Sequence, residues 1–569
     1  MLIFDFEVFK YNWLVVIKHI ATGEYTVIID DKDKLRDFYD KNTKSLWIGF
    51  NNKNYDNNIL RAILSNVDPF EWSRLLIQEN KQPYIINKAL NVKNLPLMNM
   101  DLMQDILGMS LKEAEGYMCM SIEESNVDFN LDRPLTQSEI EETIFYCKHD
   151  VDASEKLLEE RMDYIKAKMN LVKTFGLHPS CLEYTNAKLC STILQAHRKE
   201  YDDELTYDLP EELMLSKYKE VLNLYTQPTL DYSKKLSYNI AGVEHVYAYG
   251  GLHGAIENFK YVGEMWQIDA ASYYPTLMIQ YNYNSRNMKD PGKFEEIYRT
   301  RLAAKKTDKP KAAALKLVVN TTYGAMKSKF NDLYDPKMAN QVCITGQLFL
   351  TDLIEKIEPY CKLVQSNTDG ILIIPYDKEK VMEEVKKVEE RTRVIFEVDK
   401  CTGVWQKDVN NYIMTFEDGH VKVKGGYVGQ YDGSGIRNTN RIVDVAVVDY
   451  FTKGIDPLKT IMECDNKFWY QIITKTGGTY EETYWKHKDG DIKVNKVNRV
   501  YATKNTNYGN LYKTKTVIKN GVKTVRKDSI ANLPEHCIVD NSNEINIGDI
   551  DKQWYVNMAW KRIRDFKGE

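Results

Sequence analysis

Apolar and polar residues alternate over the first nine positions of the chain, Met1-Leu-Ile-Phe-Asp-Phe-Glu-Val-Phe. This alternation predicts a β-strand that carries Asp5 and Glu7 on one face. The neighbouring Leu, Ile and Phe residues favour a strand beside a core over the alternative, the solvated face of an edge strand. Two carboxylates next to a core need a counter-charge, and a divalent cation supplies one.

Further polar positions follow predicted elements in the N-terminal part. The apolar run Leu46-Trp-Ile predicts a strand that ends in a turn, and Asp56 closes this turn. Thr136-Gln-Ser-Glu139 forms a capping box and predicts a helix that continues to about residue 169. Tyr146 and Asp150 are spaced i, i+4 on this helix, so they face the same way.

Two other aspartates, Asp269 and Asp369, lie at the ends of predicted strands. Asp269 ends the apolar run Met265-Trp-Gln-Ile, and Asp369 lies in the tight turn Ser366-Asn-Thr-Asp-Gly370. Taken singly, an aspartate at a strand end is more often a turn former than a ligand. Two carboxylates at the tips of adjacent strands, however, suit a pair of Mg²⁺ ions about 3.5–4 Å apart, as used in phosphoryl transfer.

A strongly helical segment begins near Pro310, between these two aspartates in sequence. Three of its residues are spaced i, i+4 and i+7 and project from one face: Lys316, Asn320 and Tyr323. A cation, an amide and an aromatic ring on one stripe suit a triphosphate, a sugar and a base. Upstream, Arg301 and Lys305 form an i, i+4 cationic pair that can bind the same phosphates.

These segments resemble the polymerase motifs of family B DNA polymerases, as found in viruses and phages. Asp269–Pro275 is similar to the first motif, with Tyr-Tyr where Leu-Tyr is usual, Lys316–Gly324 to the second, and Ser366–Gly370 to the third. The resemblance implies that Asp269 and Asp369 bind two Mg²⁺ ions, for which Mn²⁺ can substitute.

The resemblance also assigns nucleotide-binding roles. It implies that three cations bind the triphosphate of a dNTP: Arg301, Lys305 and Lys316. Asn320 and Tyr323 are expected to line the nascent base pair. Tyr274 is expected to lie under the sugar and to exclude a 2′-hydroxyl.

Two further positions depart from the family pattern. The third motif usually has Asp where this chain has Asn367, a substitution that keeps hydrogen bonding but removes one negative charge. Tyr247-Ala-Tyr-Gly-Gly251 resembles the family's Tyr-x-Gly-Gly segment, although Ala248 stands where the Tyr belongs.

The N-terminal acids resemble the 3′–5′ proofreading exonuclease of the same family. Its three motifs are matched by Asp5-Phe-Glu7, by Asn52-Lys-Asn-Tyr-Asp56 and by Tyr146-Cys-Lys-His-Asp150. The resemblance implies two further metals bound by the four acids, with Tyr146 orienting a water. Ser110 and Leu111 match a Ser/Thr-Leu pair that binds the single-stranded 3′ end, so the predicted DNA contacts are Asn52, Ser110 and Leu111.

The expected fold is α/β and α+β multidomain, with an RNase H-like exonuclease domain and a right-hand polymerase of palm, fingers and thumb. The predicted domains are an exonuclease (1–170), a helical linker (171–240), a palm (241–290 and 331–430), fingers (291–330), and a thumb with a C-terminal basic extension (431–569).

The length and amino-acid composition are those expected of a multidomain enzyme. The 569 residues predict two to four domains, and 43% hydrophobic with 28% charged residues is typical of a soluble globular protein. The N-terminus does not match a signal peptide, and no apolar run approaches membrane-spanning length. The nine cysteines are scattered without a Cys-x-x-Cys pair, which favours reduced thiols in a cytoplasm and no structural zinc.

The net charge of −5 is segregated along the chain. Between Lys493 and Lys527 there are ten Lys or Arg residues and no Asp or Glu. Asn520-Gly521 predicts a hairpin turn within this segment, and Asp489-Gly490 and Asp418-Gly419 predict two others. Contact with DNA phosphates behind the active site is favoured over a merely solvated surface. The predicted DNA contacts here are Lys519, Lys523, Arg526 and Lys527.

The sequence therefore predicts a DNA-templated DNA polymerase with a proofreading exonuclease, acting on primer-template DNA and dNTPs. The expected setting is replication of a phage or mobile-element genome in a bacterial cytoplasm, by a monomer working with phage replication proteins. One alternative is a nuclease or replication scaffold whose polymerase site has decayed, with Asn367 as the sign of decay. A non-catalytic single-strand binder is a third possibility, but it needs neither set of acids.

Overall fold

The structure, a computed structural model, describes residues 1–106, 108–226, 231–519 and 522–569. The chain forms two compact units. The first contains Met1–Glu183, Gly433–Ile442 and Ile461–Tyr555, and the second contains Tyr184–Asp432, Val443–Thr460 and Val556–Glu569. The predicted thumb and basic extension are thus divided between the two units.

The first unit begins with a mixed five-stranded sheet. Its strands are β1 (Leu2–Val8), β2 (Trp13–His19), β3 (Tyr25–Ile29), β4 (Trp47–Gly49) and β5 (Asn99–Asp101). In the order β3-β2-β1-β4-β5, the first three strands are antiparallel, whereas β4 is parallel to both β1 and β5. β1 lies at the centre, and its buried apolar residues explain why the two carboxylates between them are held beside a core.

In the described part of the first unit, seven helices accompany this sheet. They are α1 (Lys32–Lys41), α2 (Asp56–Leu64), α3 (Pro69–Ile77), α4 (Pro83–Ala89), α5 (Leu111–Tyr117), α6 (Gln137–Glu160) and α7 (Met162–Thr174). The capping box expected at the start of α6 is confirmed, since Thr136 and Glu139 each bond to the backbone of the other. The prediction of one continuous helix to about residue 169 is wrong, because α6 ends at Glu160 and Arg161 leaves helical geometry.

The second unit is built on a nine-stranded antiparallel sheet. Its strands are β6 (Leu236–Ile240), β7 (Val243–Tyr247), β8 (His253–Ala255), β9 (Phe259–Ala270), β10 (Cys361–Ser366), β11 (Gly370–Pro375), β12 (Phe396–Asp408), β13 (Asn411–Phe416) and β14 (Val421–Lys424). The order is β14-β13-β12-β9-β11-β10-β8-β7-β6, so β9 and β11 are central neighbours. The turn predicted at Asp418-Gly419 is confirmed between β13 and β14, where Gly419 has φ +86°.

Among the residues described for the second unit, seven helices belong wholly to it. They are α8 (Asn186–Ile193), α9 (Asn223–Thr226), α10 (Tyr273–Gln280), α11 (Gly292–Thr307), α12 (Lys309–Met326), α13 (Pro336–Ile357) and α14 (Lys378–Thr392). The helix predicted to begin near Pro310 is confirmed by α12, in whose first turn Pro310 lies. The long, almost fully buried α13 forms the centre of this unit.

The predicted helical linker at 171–240 is wrong for most of its length. Between α8 and α9, the described chain is largely irregular and lies along α13. Its backbone N–H groups donate to side chains of that helix: Met214 to Asp352 at 2.9 Å, and Lys217 and Tyr218 to Glu355 at 2.9 and 3.2 Å. These bonds replace the intrahelical ones, so the segment needs no helix to satisfy its backbone.

The C-terminal part of the first unit forms two small sheets. Their strands are β15 (Ile472–Lys475), β16 (Glu482–His487), β17 (Ile492–Val494), β18 (Val497–Ala502), β19 (Tyr508–Lys519), β20 (Val522–Ser529) and β21 (Cys537–Val539), ordered β15-β18-β21 and β17-β16-β19-β20. The Asp489-Gly490 turn is confirmed between β16 and β17. β19 and β20 pair up to Lys519 and Val522, and the predicted Asn520-Gly521 turn lies outside the described residues.

Three remaining helices are each divided between the units: α15 (Arg441–Lys453), α16 (Pro457–Glu463) and α17 (Lys552–Lys567). Throughout the described part of the chain, every helix is too short or too polar to span a lipid bilayer.

Candidate active sites

The second unit brings Asp269 and Asp369 together at one edge of its central strands. Asp269 is the penultimate residue of β9, and Asp369 directly precedes β11. In the antiparallel pairing of these strands Gly370 stands opposite Asp269, and the Ala270 N–H donates to the Asp369 carbonyl at 2.7 Å. The two carboxylates, a hundred positions apart in sequence, therefore share the end of one strand pair.

Gly370 makes this close approach possible. A Cβ atom at residue 370 would lie 1.8 Å from Asp269 Oδ1, so the carboxylate occupies the space of the missing side chain. Desolvation raises the pKa of Asp269 to about 6; the Lys422 ammonium lowers it and the Asp369 charge raises it. Oxygen donors with excess negative charge are what Mg²⁺ prefers, so these residues fit such an ion.

A cavity of about 260 Å³ in the second unit has Asp369 in its wall. Its lining is Ser272, Tyr273, Tyr274, Pro275, Arg301, Val319, Asn320, Tyr323, Thr368 and Asp369. Five residues that the sequence singled out separately, from four different elements, line this one cavity: Tyr274, Arg301, Asn320, Tyr323 and Asp369. These five residues supply a carboxylate, a cation, an amide and two phenols, and Tyr273 adds a third phenol.

Arg301 is the cation of this cavity. Its side chain is only 8% exposed, and among the described residues none forms a hydrogen bond or ion pair with it. A buried guanidinium without a counter-ion in the protein suits an anionic ligand, because its donors otherwise remain unpaired.

Lys305 and Lys316 are placed differently from Arg301. Both are exposed, and neither lines the 260 Å³ cavity. Lys305 lines a neighbouring cavity of about 410 Å³ together with Arg299 and Arg393. Binding of phosphates by Lys305 and Lys316 therefore stays a prediction.

The Tyr274 and Tyr323 rings pack against each other, with centroids 4.5 Å apart. The adjacent Tyr273 also lines the cavity, but it is buried and its hydroxyl donates to the Gly346 carbonyl at 2.7 Å. Ser272 precedes α10 with φ 51° and ψ 49°, a left-handed conformation that turns the chain from β9 into the helix. The rings of the two successive tyrosines lie side by side, with centroids 6.2 Å apart.

Several residues that support this site were not predicted. A Cβ at Gly251 would lie 2.1 Å from Thr368 Oγ1, so this glycine allows the turn around Asp369 to pack against its backbone. Gln347 on α13 donates to the carbonyls of Ala248 and Gly250 at 2.8 and 2.9 Å. Of these contacts, only the one at Gly250-Gly251 is marked in the local sequence, by the glycine doublet. The contact with Gln347 on α13 joins residues far apart in the chain.

Asn367 lies in the same turn. Its N–H donates to the Gly370 carbonyl at 2.8 Å, which closes the turn. Burial raises the pKa of the Tyr412 phenol to about 12, and the neighbouring Asn367 side chain acts to lower it. Asn367 Oδ1 is buried and accepts no hydrogen bond from the described residues.

The first unit gathers the other predicted acids around β1. Asp5 and Glu7 lie on β1, Asp56 is the first residue of α2, and Asp150 lies on α6. The Phe6 N–H donates to Asp56 Oδ1 at 3.0 Å, which fixes the start of α2 beside the strand.

These acids repel one another. Desolvation, followed by repulsion from the neighbouring carboxylates, holds the pKa values of Asp5 and Glu7 well above their usual range. Burial likewise raises the pKa of Asp56 to about 7. Such a concentration of oxygen donors and negative charge fits divalent metal ions.

Lys112 is a part of this site that the sequence did not reveal. Its ammonium donates to Asp150 and, at 3.0 Å, to Glu115. It also lies 4.5 Å from the centroid of the Tyr146 ring. Burial and the neighbouring carboxylates raise the pKa of the Tyr146 phenol, so Tyr146 stays a neutral hydroxyl that can donate.

Cys147 was not singled out either. Its thiol is fully buried on α6 and lies 3.4 Å from the Asp5 carbonyl and 3.5 Å from Asp5 Oδ2. Potential ligand atoms of Asp5, Glu7 and Cys147 all lie within 4.8 Å of one another. Within the residues that the structure describes, no other three His, Cys, Asp or Glu side chains meet this limit.

The predicted contacts with a single strand differ in accessibility. Asn52 is fully buried and donates to Asn99 Oδ1 at 2.7 Å, so it reaches no surface in this structure. Ser110 caps α5, with its hydroxyl donating to Glu113 at 3.0 Å, and Leu111 is half-buried. Contact of these residues with DNA stays a prediction.

The basic segment is only partly available to phosphates. Arg499 is fully buried and donates to the Met120 and Gly116 carbonyls, so it is excluded from such contacts. On β20, Lys523 is exposed without a partner among the described residues, whereas Arg526 pairs with Asp528 at 2.9 Å. Lys527 is exposed and donates to the Tyr512 hydroxyl at 3.3 Å. The side chain of Lys519 lies outside the described residues.

Comparison with known proteins identifies similarity to DNA polymerases over part of the chain. DNA polymerase 1 of Sulfolobus acidocaldarius is 28% identical over 115 residues, and the protein of the same name from Saccharolobus solfataricus is 27% identical over 115 residues. A third, from Sulfurisphaera ohwakuensis, is 28% identical over 119 residues. The similarity covers 20% of this chain and only 13% of each relative.

No protein-family model matches the chain. Among solved structures, the family B DNA polymerase of the archaeon Pyrobaculum calidifontis aligns with 99% of this chain and 77% of its own, at 14% identity and a TM-score of 0.42.

Proposed function

We propose that this chain is a family B DNA polymerase of the short phage and viral type, with a 3′–5′ proofreading exonuclease. The cavity that joins Asp369 to Arg301, Tyr274 and Tyr323 carries the proposal, because residues from three sequence motifs meet there. Partial similarity to three archaeal DNA polymerases supports it. Replication of a phage or mobile-element genome is part of the proposal.

The domain assignment follows from the same motifs. The sheet order β3-β2-β1-β4-β5, with acids on the central strand, supports an RNase H-like exonuclease. The nine-stranded sheet corresponds to a palm, and α11 with α12 to the fingers. The thumb is proposed for residues after about 430.

In the proposed polymerase site, each side chain has a role that its position allows. Asp269 and Asp369 would hold divalent cations, which when bound lower the pKa of the primer 3′-hydroxyl and neutralise charge on the departing pyrophosphate. Arg301 binds the triphosphate from within the cavity, and Asn320 and Tyr323 contact the nascent base pair. The Tyr274 ring, held by Tyr323, limits the space next to the sugar.

In the proposed exonuclease site, four acids would hold the cations: Asp5, Glu7, Asp56 and Asp150. Tyr146, as a neutral hydroxyl, donates to and orients the attacking water. Lys112 holds Asp150 and Tyr146 in place through its hydrogen bond and its ring contact. Ser110 and Leu111 on α5 contact the single-stranded end.

Primer extension tests the polymerase assignment. Purified protein, a 5′-labelled primer on a longer template, four dNTPs and Mg²⁺ should give extension to the template end. Asp369→Ala should abolish this extension, whereas Glu379→Ala, an exposed acid on α14, should leave it unchanged. Degradation of single strands by Asp369→Ala should persist, since the two sets of acids lie in separate units.

The matched experiment tests the exonuclease. Asp5→Ala combined with Glu7→Ala should stop removal of a mismatched 3′ nucleotide and raise misincorporation, while Asp163→Ala on α7 should not. Degradation without any extension by the wild type would favour the alternative, a nuclease with a decayed polymerase site. Absence of both activities in the wild type would overturn the proposal as a whole.

A further inference from the structure

Cys147 makes the acid cluster on β1 unlike an all-oxygen site. Its thiol is fully buried and within 3.5 Å of Asp5 Oδ2. Magnesium prefers oxygen ligands and has no use for sulfur, whereas zinc and cadmium bind thiolates strongly. The presence of a thiol within the cluster therefore changes which cations the cluster can bind.

Glu7 gives a second, independent indication. Its side chain is only 8% exposed, and among the described residues it has no hydrogen-bond or ion-pair partner. Its carboxylate is directed at the same point, since one of its oxygens lies within 4.8 Å of both the Cys147 sulfur and an Asp5 oxygen. A buried carboxylate without a partner is costly unless a cation is bound.

We propose that Asp5, Glu7 and Cys147 together form a binding site for a thiophilic divalent cation, Zn²⁺ or Cd²⁺. Two carboxylate oxygens and one sulfur supply three ligands and leave a fourth position for water, as in open zinc sites. On binding, the cation replaces the thiol proton, which passes to the solvent. The ligand set is complete within the first unit and uses side chains from β1 and α6 only.

The consequence for function rests on the proposed exonuclease. A cation held by the Cys147 sulfur occupies Asp5 and Glu7, which the proposed reaction needs for Mg²⁺. Among the described residues, Asp269 and Asp369 belong to no group in which three ligand atoms, one of them a sulfur, lie within 4.8 Å of one another. Zinc or cadmium should therefore stop 3′–5′ degradation while primer extension continues, and so make synthesis less accurate.

Direct binding of Cd²⁺ tests the site without any activity. Full-length protein freed of metal with a chelator is titrated with Cd²⁺, and the thiolate-to-cadmium absorption in the ultraviolet is followed alongside calorimetry. Wild type should show this band at one equivalent. Cys147→Ser and Cys147→Ala should lose this absorption band. Glu7→Gln should weaken the affinity for Cd²⁺ at least about tenfold.

Controls address the other cysteines and folding. Cys537→Ser removes another fully buried thiol of the first unit, one that donates only to the Gly509 carbonyl, and should leave the titration unchanged. Cys147→Ser keeps a hydrogen-bond donor toward Asp5, whereas Cys147→Ala places a small apolar side chain there. Thermal unfolding shows whether either variant fails to fold. Glu7→Gln retains the thiol and tests the site if both Cys147 variants are unstable. An unchanged band in the folded Cys147 variants or unchanged affinity in Glu7→Gln would overturn the inference.

Activity then separates this inference from the proposed function. Degradation by wild type in Mg²⁺ should fall at low Cd²⁺ concentrations, and Cys147→Ala should need at least about tenfold more. Equal sensitivity of the two proteins would overturn the inhibitory role of Cys147. Absence of degradation in Mg²⁺ alone would count against the proposed exonuclease, yet the titration would still decide whether the cation site exists.

Discussion

Asp269 Oδ1 occupies the position where a side chain on Gly370 would begin, 1.8 Å from an ideal Cβ. Gly370 has no positive φ, so the conflict is steric: the Cβ would meet the Asp269 carboxylate and, at 2.8 Å, the Ile268 carbonyl oxygen. We expect Gly370→Ala to displace the Asp269 carboxylate and slow nucleotide incorporation by about 100-fold or more, the typical effect of a misplacement of about 1 Å.

Single-turnover incorporation measures this effect. Gly426→Ala is the matched control, because a Cβ at Gly426 meets nothing within 4 Å. Degradation of single strands by Gly370→Ala should be unchanged, which shows that the protein is folded. Normal incorporation by Gly370→Ala would mean that the position of Asp269 is not critical.

The contact between Tyr274 and Tyr323 leads to a prediction about sugar selection. Tyr323 supports the Tyr274 ring at 4.5 Å, so the ring is held beside the cavity. Tyr274→Ala should admit ribonucleotides and lower the preference for dNTP over rNTP by at least about tenfold, or about 1.4 kcal/mol in relative barrier. The ratio of kcat/KM for the two substrates measures it.

Tyr273→Phe is the control for this variant. It removes only the hydroxyl that donates to Gly346, on a ring that is buried, so discrimination should not change. An unchanged preference in Tyr274→Ala would assign selection to another residue.

The sequence predicted pairs of site residues where each residue is marked by the pattern of its own segment. Asp269 and Asp369 each follow or precede an apolar run, and antiparallel pairing of those runs brings them together. Helical spacing predicted that Arg301 and Lys305 face the same way. It could not predict how α11 lies on α12, and only Arg301 reaches the cavity of Asp369.

Long-range contacts explain what the sequence did not reveal. Lys112 reaches Asp150 across 38 positions, and Cys147 reaches Asp5 across 142. No periodicity marks such contacts. The irregular segment along α13 was mistaken for helix for a similar reason, since its backbone is satisfied by Asp352 and Glu355 on a distant helix.

Asn367 gives a prediction about the third motif. Its N–H closes the turn at Gly370 and its side chain neighbours Tyr412, so it supports Asp369 without being required as a ligand. Asn367→Asp should leave the incorporation rate within about tenfold, a barrier change near 1.4 kcal/mol. A gain of several orders of magnitude would instead show that residue 367 binds metal.

The acids around β1 predict how stability depends on pH without metal. Asp56 has a pKa of about 7 in the folded chain against a usual value of 3.8, so the folded state binds more protons between these values. Stability should therefore fall as the pH rises from about 4 to about 7, by up to a few kcal/mol.

Thermal unfolding of the protein in the presence of a chelator measures this dependence. Mg²⁺ should raise the unfolding temperature more at pH 8 than at pH 5, because the deprotonated acids bind it. Asp56→Asn should be more stable than wild type at pH 8 without metal and should gain less from Mg²⁺. Equal stability of wild type and variant at pH 8 would contradict the proposed repulsion.

The exposed cations of β20 predict the salt dependence of DNA binding. Lys523 has no partner among the described residues, whereas Arg526 must leave Asp528 before it can contact a phosphate. Changing Lys519, Lys523, Arg526 and Lys527 together to Ala should weaken duplex binding with little dependence on sequence. The slope of log affinity against log salt should flatten by about one unit for each DNA phosphate that the variant no longer binds.

Processivity should fall in this variant more than single-nucleotide insertion at saturating DNA, because insertion then no longer depends on affinity. Lys378→Ala, which removes an exposed cation paired with Glu264 in the second unit, should leave the salt slope unchanged. Since Arg526 already has an acidic partner, Lys523→Ala alone should account for more of the change than Arg526→Ala alone. Identical slopes for wild type and the fourfold variant would mean that β20 is a solvated surface and that DNA is bound elsewhere.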